Sequence, residues 1–220
     1  MGKAIVFGSD KGGVGKTTTT ANTASMLANK GWSVGILKSD KNPDMLIWGE
    51  DRQANGLPPV PVHEAYGDIS KEIQKLSTRY DYLLVDCAGH DSVEFRSALT
   101  VANILITLVK PSSKFERNTL TALTEKVLKA KSVNEKLQPW VLLTRIETNK
   151  PSKVKAAIEL DKFLRSDSVW IQPLKTRLAA LDIFESACNE GAGVHDVARG
   201  NSLGPAKAQI ELFAQEIGIL

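Results

Sequence analysis

Short apolar runs and longer stretches of helical periodicity alternate along this chain. The runs Ala4–Phe7, Ser33–Leu37, Tyr82–Val85, Ile104–Val109, Trp140–Leu143 and Val169–Ile171 read as strands. Between them, Lys16–Asn29, Asp68–Thr78, Phe115–Lys131, Ser152–Leu164, Leu178–Glu190 and Ala206–Ile217 read as helices. Strand and helix in regular alternation is the pattern of βα units with right-handed crossovers. It predicts an α/β fold built on a mainly parallel, twisted sheet with helices on both faces. The segment ANGLPPVPVHEAYG, residues 54–67, carries three prolines and little periodicity, so it reads as a surface excursion with one short edge strand. No internal repeat, low-complexity tract or long linker interrupts the pattern, which predicts one domain over residues 1–220.

Composition changes little in this picture. At 42% hydrophobic and 24% charged, the 220 residues resemble an ordinary globular protein. No stretch approaches the roughly 18 uninterrupted apolar residues of a membrane span, and the first apolar run is too short for a signal peptide, so the expected location is cytoplasmic. Cys87 and Cys188 cannot build a disulfide framework or a four-ligand metal site, and His63, His90 and His195 are scattered. The net charge is only +3, yet residues 126–177 hold 12 Lys/Arg against 5 Asp/Glu. A localised positive face suits a polyanionic partner, and a set of solvated helix surfaces explains the same count; charge alone does not separate them.

The chemistry is concentrated in GSDKGGVGKTTTT, residues 8–20, directly after the first strand. Strand, glycine-rich turn, then Gly15-Lys16-Thr17 opening a helix is the order in which backbone N–H groups and a helix N-terminus converge on phosphate. In that role Lys16 reaches the β and γ phosphates, the Thr17 hydroxyl binds Mg2+, and Thr18 bonds the α phosphate. In YDYLLVDCAG, residues 80–89, an apolar strand ends in Asp86, where an acid holds Mg2+ through its waters. Gly89 then reads as the hinge of a loop that senses the γ phosphate.

The string Lys11-Gly12-Gly13-Val14-Gly15-Lys16-Thr17 resembles the deviant Walker A motif of the ParA/MinD superfamily of P-loop ATPases. The resemblance implies ATP and Mg2+ as cofactors, a P-loop NTPase fold, and an early lysine, Lys11, that crosses a dimer interface to the partner's phosphates. ILKSDKNPD, residues 36–44, matches the switch I region, which in relatives usually reads D-x-D-P-Q. Aligned through Trp48, Asp40 falls on the acid that orients the attacking water. Lys38 stands where relatives carry the first acid, Lys41 and Asn42 replace the Pro-Gln pair, and Asp44 is a candidate to compensate. LLTRI, residues 142–146, resembles the strand end that contacts adenine, which adds Arg145 to the nucleotide site. ACNEGAGVHD, residues 187–196, with Arg177 ahead of it, resembles a further segment of the same family.

Size and similarity along nearly the whole chain fit the short ParA (ParF-like) plasmid partition type best. That implies an ATP-dependent homodimer that binds DNA without reading sequence, releases it on weak, partner-stimulated hydrolysis, and answers to a centromere-binding adaptor of the ParB type. The candidate DNA contacts are Lys150, Lys153, Lys155, Lys162 and Arg165, with Lys126, Lys129 and Lys131 as alternatives. The alternatives are a MinD-like ATPase that positions itself on membrane, or one that positions a cargo other than DNA. Residues 206–220 hold one cation, Lys207, against Glu211 and Glu216, so no membrane partner is expected. Iron-sulfur relatives need two cysteines beside the dimer axis, and ligases of the dethiobiotin synthetase kind lack the Lys11 signature.

Overall fold

Burial of strands on both faces sets the architecture. β1 (Lys3–Gly8), β2 (Val34–Lys38), β3 (Val62–Glu64), β4 (Tyr82–Asp86), β5 (Ile104–Val109), β6 (Gln138–Ile146) and β7 (Pro173–Ala179) pair in parallel, in the order β3-β2-β4-β1-β5-β6-β7. Among the described residues, eight helices connect and cover them: α1 (Lys16–Asn29), α2 (Asp44–Ala54), α3 (Ser70–Leu76), α4 (Val93–Leu99), α5 (Phe115–Lys131), α6 (Pro151–Arg165), α7 (Asp182–Cys188) and α8 (Leu203–Glu216). The computed structural model describes residues 2–9, 11–87, 92–111 and 115–220, the last stretch with side chains from residue 120.

Along β1, Ile5 and Phe7 enter one core while Ala4 and Val6 enter the other; along β5, Ile104, Ile106 and Leu108 oppose Leu105 and Val109. Residues of α1, α2, α7 and α8 close the first core, and residues of α3, α4, α5 and α6 close the second. Such strands read as unbroken apolar runs because neither face meets water. The strand order reverses at β1, which pairs with β4 on one side and β5 on the other. A reversal of this kind opens a crevice at the carboxyl ends of the strands.

Two expected elements are corrected and two helices are added. Val169–Ile171 is not a strand: Val169 is exposed, Trp170 packs on Phe163 at 5.1 Å, and the last strand begins at Pro173. Proline is tolerated at the first residue of an edge strand, and the polar positions within β7 hide its period. Leu178 and Ala179 therefore finish β7, and the helix after it is shortened to α7. The helices α2 and α4 escape the periodicity because α2 buries only Met45, Trp48 and the charged Arg52, and α4 is seven residues long. The proline-rich segment does supply one short edge strand, β3.

Arg52 explains why a charge sits on the inner face of α2. Its guanidinium is 1% exposed and pairs with Asp196 at 2.7 and 3.2 Å. It also donates to the carbonyls of Pro58 and Gly191 and lies 5.2 Å over the Trp48 ring. Asp196 further accepts from Ser25 and Asn29 of α1 and from the Gly193 N–H. Burial pushes the Asp196 pKa up, and these donors, Arg52 first, more than offset it and hold it below the ordinary range. One ion pair thereby ties α2, α1 and the loop 191–196 together. Removing one partner of a buried pair leaves an uncompensated charge, so Arg52→Met is expected to lose about 3–5 kcal/mol in a denaturant titration. A loss under about 1 kcal/mol contradicts this role.

Candidate functional site

The loop after β1 is shaped by its own backbone. Ser9 accepts the Lys11 N–H at 3.0 Å and returns its hydroxyl to the Lys11 carbonyl at 2.6 Å. Gly13 and Gly15 sit at φ +71 and +90, conformations that side-chain-bearing residues rarely adopt. Gly15 is the N-cap of α1; no side chain caps that helix and no acid stands in its first turn. The partial positive charge of the helix N-terminus therefore faces the hollow of the loop, where an anion is favoured. Thr144, at the carboxyl end of β6, donates to the Val14 carbonyl at 2.8 Å and pins the loop from behind.

Asp86 ends β4, with its Cα opposite Phe7 of β1 and Lys38 of β2. Its Oδ2 accepts the Thr17 hydroxyl at 2.9 Å, while its Oδ1 is buried with no hydrogen-bond partner among the described residues. Burial pushes its pKa up to about 6; the Thr17 hydrogen bond and the Lys16 charge pull the other way, and Asp40 adds to the rise. An orphaned buried carboxylate oxygen beside a hydroxyl is a pair of hard donors suited to Mg2+. The residues fit that ion: Thr17 would ligate directly and Asp86 through water.

Asp40 follows the end of β2 and is half-buried, its Oδ1 accepting the Asn42 N–H at 3.1 Å. The candidate compensating acid, Asp44, turns to Asn42, accepting its amide at 2.8 Å at the start of α2. Lys38 is directed away from β4: its ammonium bonds Glu64 of β3 at 2.8 Å and the Tyr66 hydroxyl at 3.1 Å. Asp10 and Gly89 lie outside the described residues.

Beside the loop, a cleft of about 200 Å³ is lined by Val14, Thr18, Thr144, Arg145, Leu181 and Phe184, among others. Arg145 holds φ +53 and forms an ion pair with Glu185 across this cleft. The loop that sequence periodicity assigned to a helix, Ala180–Leu181, supplies one wall. Cys188 stands near by, with its thiol pushed up to about 12 by burial, as is Cys87.

Residues 5–169 match the CobQ/CobB/MinD/ParA nucleotide binding domain. The chain belongs to that family. Among curated relatives it is 28% identical over 151 residues to the septum site-determining protein MinD of Synechocystis sp., covering 54% of this chain and 57% of that protein. It is 24% identical to the maintenance of carboxysome distribution protein A of Halothiobacillus neapolitanus, covering 87% of each. Its fold matches a plasmid partition protein from Borrelia burgdorferi bound to AMPPNP, with TM-score 0.69, 17% identity and 98% and 99% of the two chains covered. It also matches MinD from Pyrococcus horikoshii complexed with Mg-ADP, with TM-score 0.72, 18% identity and 100% and 98% covered.

In this MinD/ParA-type chain the candidate basic residues separate into two groups. α5 and α6 bury Leu123, Val127, Leu160 and Leu164 in the same core and so share one layer. Lys129 and Lys131 of α5 and Lys155 and Lys162 of α6 are exposed on it, and Lys126 and Lys153 are half-buried. Lys150 pairs with Glu147, and Lys155 lies 3.9 Å from Glu159. Arg165 is engaged structurally: it pairs with Asp161 at 3.0 Å and donates to the Pro173 carbonyl at 2.9 Å. Arg177 pairs with the same Asp161 at 3.5 Å.

Asp86 also makes a prediction about pH. Its folded pKa of about 6 lies above its ordinary 3.8, so between those values the folded protein binds more protons than the unfolded chain. Stability therefore falls as pH rises through that window, by about 2–3 kcal/mol, and the cost persists above it. Asp86→Asn removes it: without nucleotide, the variant's Tm advantage over the parent is expected to grow from pH 4 to pH 6 and then level off. A difference independent of pH contradicts the assignment.

Proposed function

We propose that this protein is an ATP-driven positioning ATPase of the plasmid partition type, in which residues 1–220 act as one ATPase domain. The observation that supports this most is the Thr17–Asp86 contact at the foot of a phosphate loop that also carries Lys11. In this reading the N–H groups of Gly12, Gly13, Val14 and Gly15 cradle the phosphates, Lys16 neutralises the β and γ oxygens, and Thr18 holds the α phosphate. Mg2+, when bound at Thr17 and Asp86, supplies charge to the triphosphate. Asp40 accepts a proton from the attacking water and aims it in line with the γ phosphate. Arg145 closes over the base, held by Glu185.

Lys11 reaches the triphosphate of a partner subunit. Delivered in trans, its charge offsets repulsion between the two nucleotides and makes the pair conditional on ATP. The dimer then offers the α5–α6 layer to DNA phosphates, with Lys129, Lys131, Lys155 and Lys162 in front and Lys150 and Lys153 beside them; Arg165 drops to a supporting role. A centromere-binding adaptor stimulates hydrolysis and release. MinD-like membrane attachment is less supported by α8, whose Ile210, Phe213 and Ala214 are buried in the core and whose Lys207 bonds the Val197 carbonyl.

Sedimentation with and without AMPPNP tests the loop. Lys16→Ala is expected to lose nucleotide binding by more than about 100-fold, while Lys11→Ala keeps binding and stays monomeric. A Lys11→Ala variant that dimerises like the parent overturns the trans role. Asp40→Ala is expected to persist as a dimer on DNA under ATP, and rapid turnover in it moves the catalytic role elsewhere. DNA affinity of the parent should fall with salt at a log-log slope of about 0.9 per phosphate contacted. Salt-insensitive binding contradicts the DNA reading, and ATP-dependent sedimentation with anionic liposomes instead of DNA favours the membrane one.

A further inference from the structure

The residue at the end of β2 is a lysine whose side chain is 2% exposed, although both of its polar partners reach water. Taking an ammonium out of water is costly unless its hydrogen bonds are well made. Here they are made by one carboxylate and one phenol. The ammonium donates to Glu64 Oε1 at 2.8 Å and to the Tyr66 hydroxyl at 3.1 Å. The Tyr66 hydroxyl in turn donates its single proton to Glu64 Oε1 at 2.8 Å and lies 3.5 Å from the Asp40 carbonyl, at the edge of hydrogen-bond range. Burial alone would lower the Lys38 pKa, and the Glu64 and Tyr66 hydrogen bonds more than offset it, so the side chain stays charged.

This cluster lies where two nucleotide-facing segments meet the sheet edge. Lys38 pairs in register with Asp86 on one side and Glu64 on the other. The next residue, Ser39, is fixed to the Asp86 carbonyl through its N–H at 3.0 Å, and Asp40 follows it. On the other side the Ala65 N–H continues the ladder to the Lys38 carbonyl, the Gly67 N–H reaches Glu94 at 2.8 Å, and the Ile69 N–H reaches Ser97 at 3.1 Å. Glu94 and Ser97 belong to α4, the helix that follows β4. Residues 64–69 thus strap the Asp40 segment to α4, and Lys38 is the anchor of the strap.

We propose that Lys38 is a positioning residue for Asp40: held by Glu64, its ammonium fixes Tyr66 beneath the Asp40 backbone and joins the switch segment to α4 through residues 64–69. The proposal rests on the reading of Asp40 as the group that orients water. It assigns a purpose to a lysine at the position where the family resemblance implies an acid. Its hydrogen bonds go to Glu64 and Tyr66 while its charge also acts on Asp86, and in this proposal it sets the reach of the acid two residues on.

Steady-state ATP hydrolysis, nucleotide affinity and Tm of three variants test it. Tyr66→Phe keeps the half-exposed ring and removes only the hydroxyl; it is expected to lower kcat about three- to tenfold, with the ATP KM unchanged and only a small loss of Tm. Lys38→Met takes the cation away from Glu64 and Tyr66 and is expected to lower kcat by about 10- to 100-fold and Tm as well. The double variant Lys38→Met with Glu64→Gln removes both charges; Tm is expected to recover while kcat does not. A structural lysine gives the opposite result: kcat recovers with Tm in the double variant, or Tyr66→Phe turns over like the parent, and either outcome overturns the proposal. Failure of the parent itself to hydrolyse ATP overturns the proposed function instead, and that arm is read before any variant.

Discussion

Everything at the functional edge of this protein depends on keeping one carboxylate, Asp86, buried beside a helix N-terminus. The parallel sheet delivers it there, because β4 ends one strand away from the loop that leaves β1. Thr17 satisfies one of its oxygens and leaves the other without a partner among the described residues. A carboxylate in that condition is destabilised alone and relieved by a cation, so nucleotide-free protein holds a standing electrostatic tension that Mg-nucleotide is suited to release. The glycines, the uncapped α1 and Lys16 are all arranged around that same point.

The helices that frame the site are not independent. Arg52 and Asp196 lock α2, which begins just after Asp40, to α1, which begins inside the phosphate loop. Lys38 and Tyr66 connect the residues before Asp40 to α4. The short segment carrying Asp40 is therefore gripped from both ends, once through the first core and once through the edge of the sheet.

Much of this is legible in the amino-acid sequence, for identifiable reasons. Strands buried on both faces announce themselves as apolar runs, and α1 coincides with its expected span because Gly15 starts it and Lys30-Gly31 end it. The phosphate loop, Thr17 and Asp86 are legible because their chemistry fixes residue types at fixed positions. What the sequence hides is held together by contacts distant along the chain. Arg52 reads as a surface charge because its partner lies 144 residues away. Glu64 and Tyr66 sit in a proline-rich stretch with no period to read, and Lys38 shows only the sign of a departure without its direction. β7 is hidden because its polar positions pair with Asp161 and with the end of α8.

In the proposed function the triphosphate is shared between two copies of this chain. A crystal structure of the protein loaded with Mg-AMPPNP tests it most directly. Two protomers face to face across the phosphate loops are expected, with each Lys11 ammonium on the partner's β and γ phosphates. A lone protomer, or a pair joined through another surface with Lys11 turned to solvent, contradicts it.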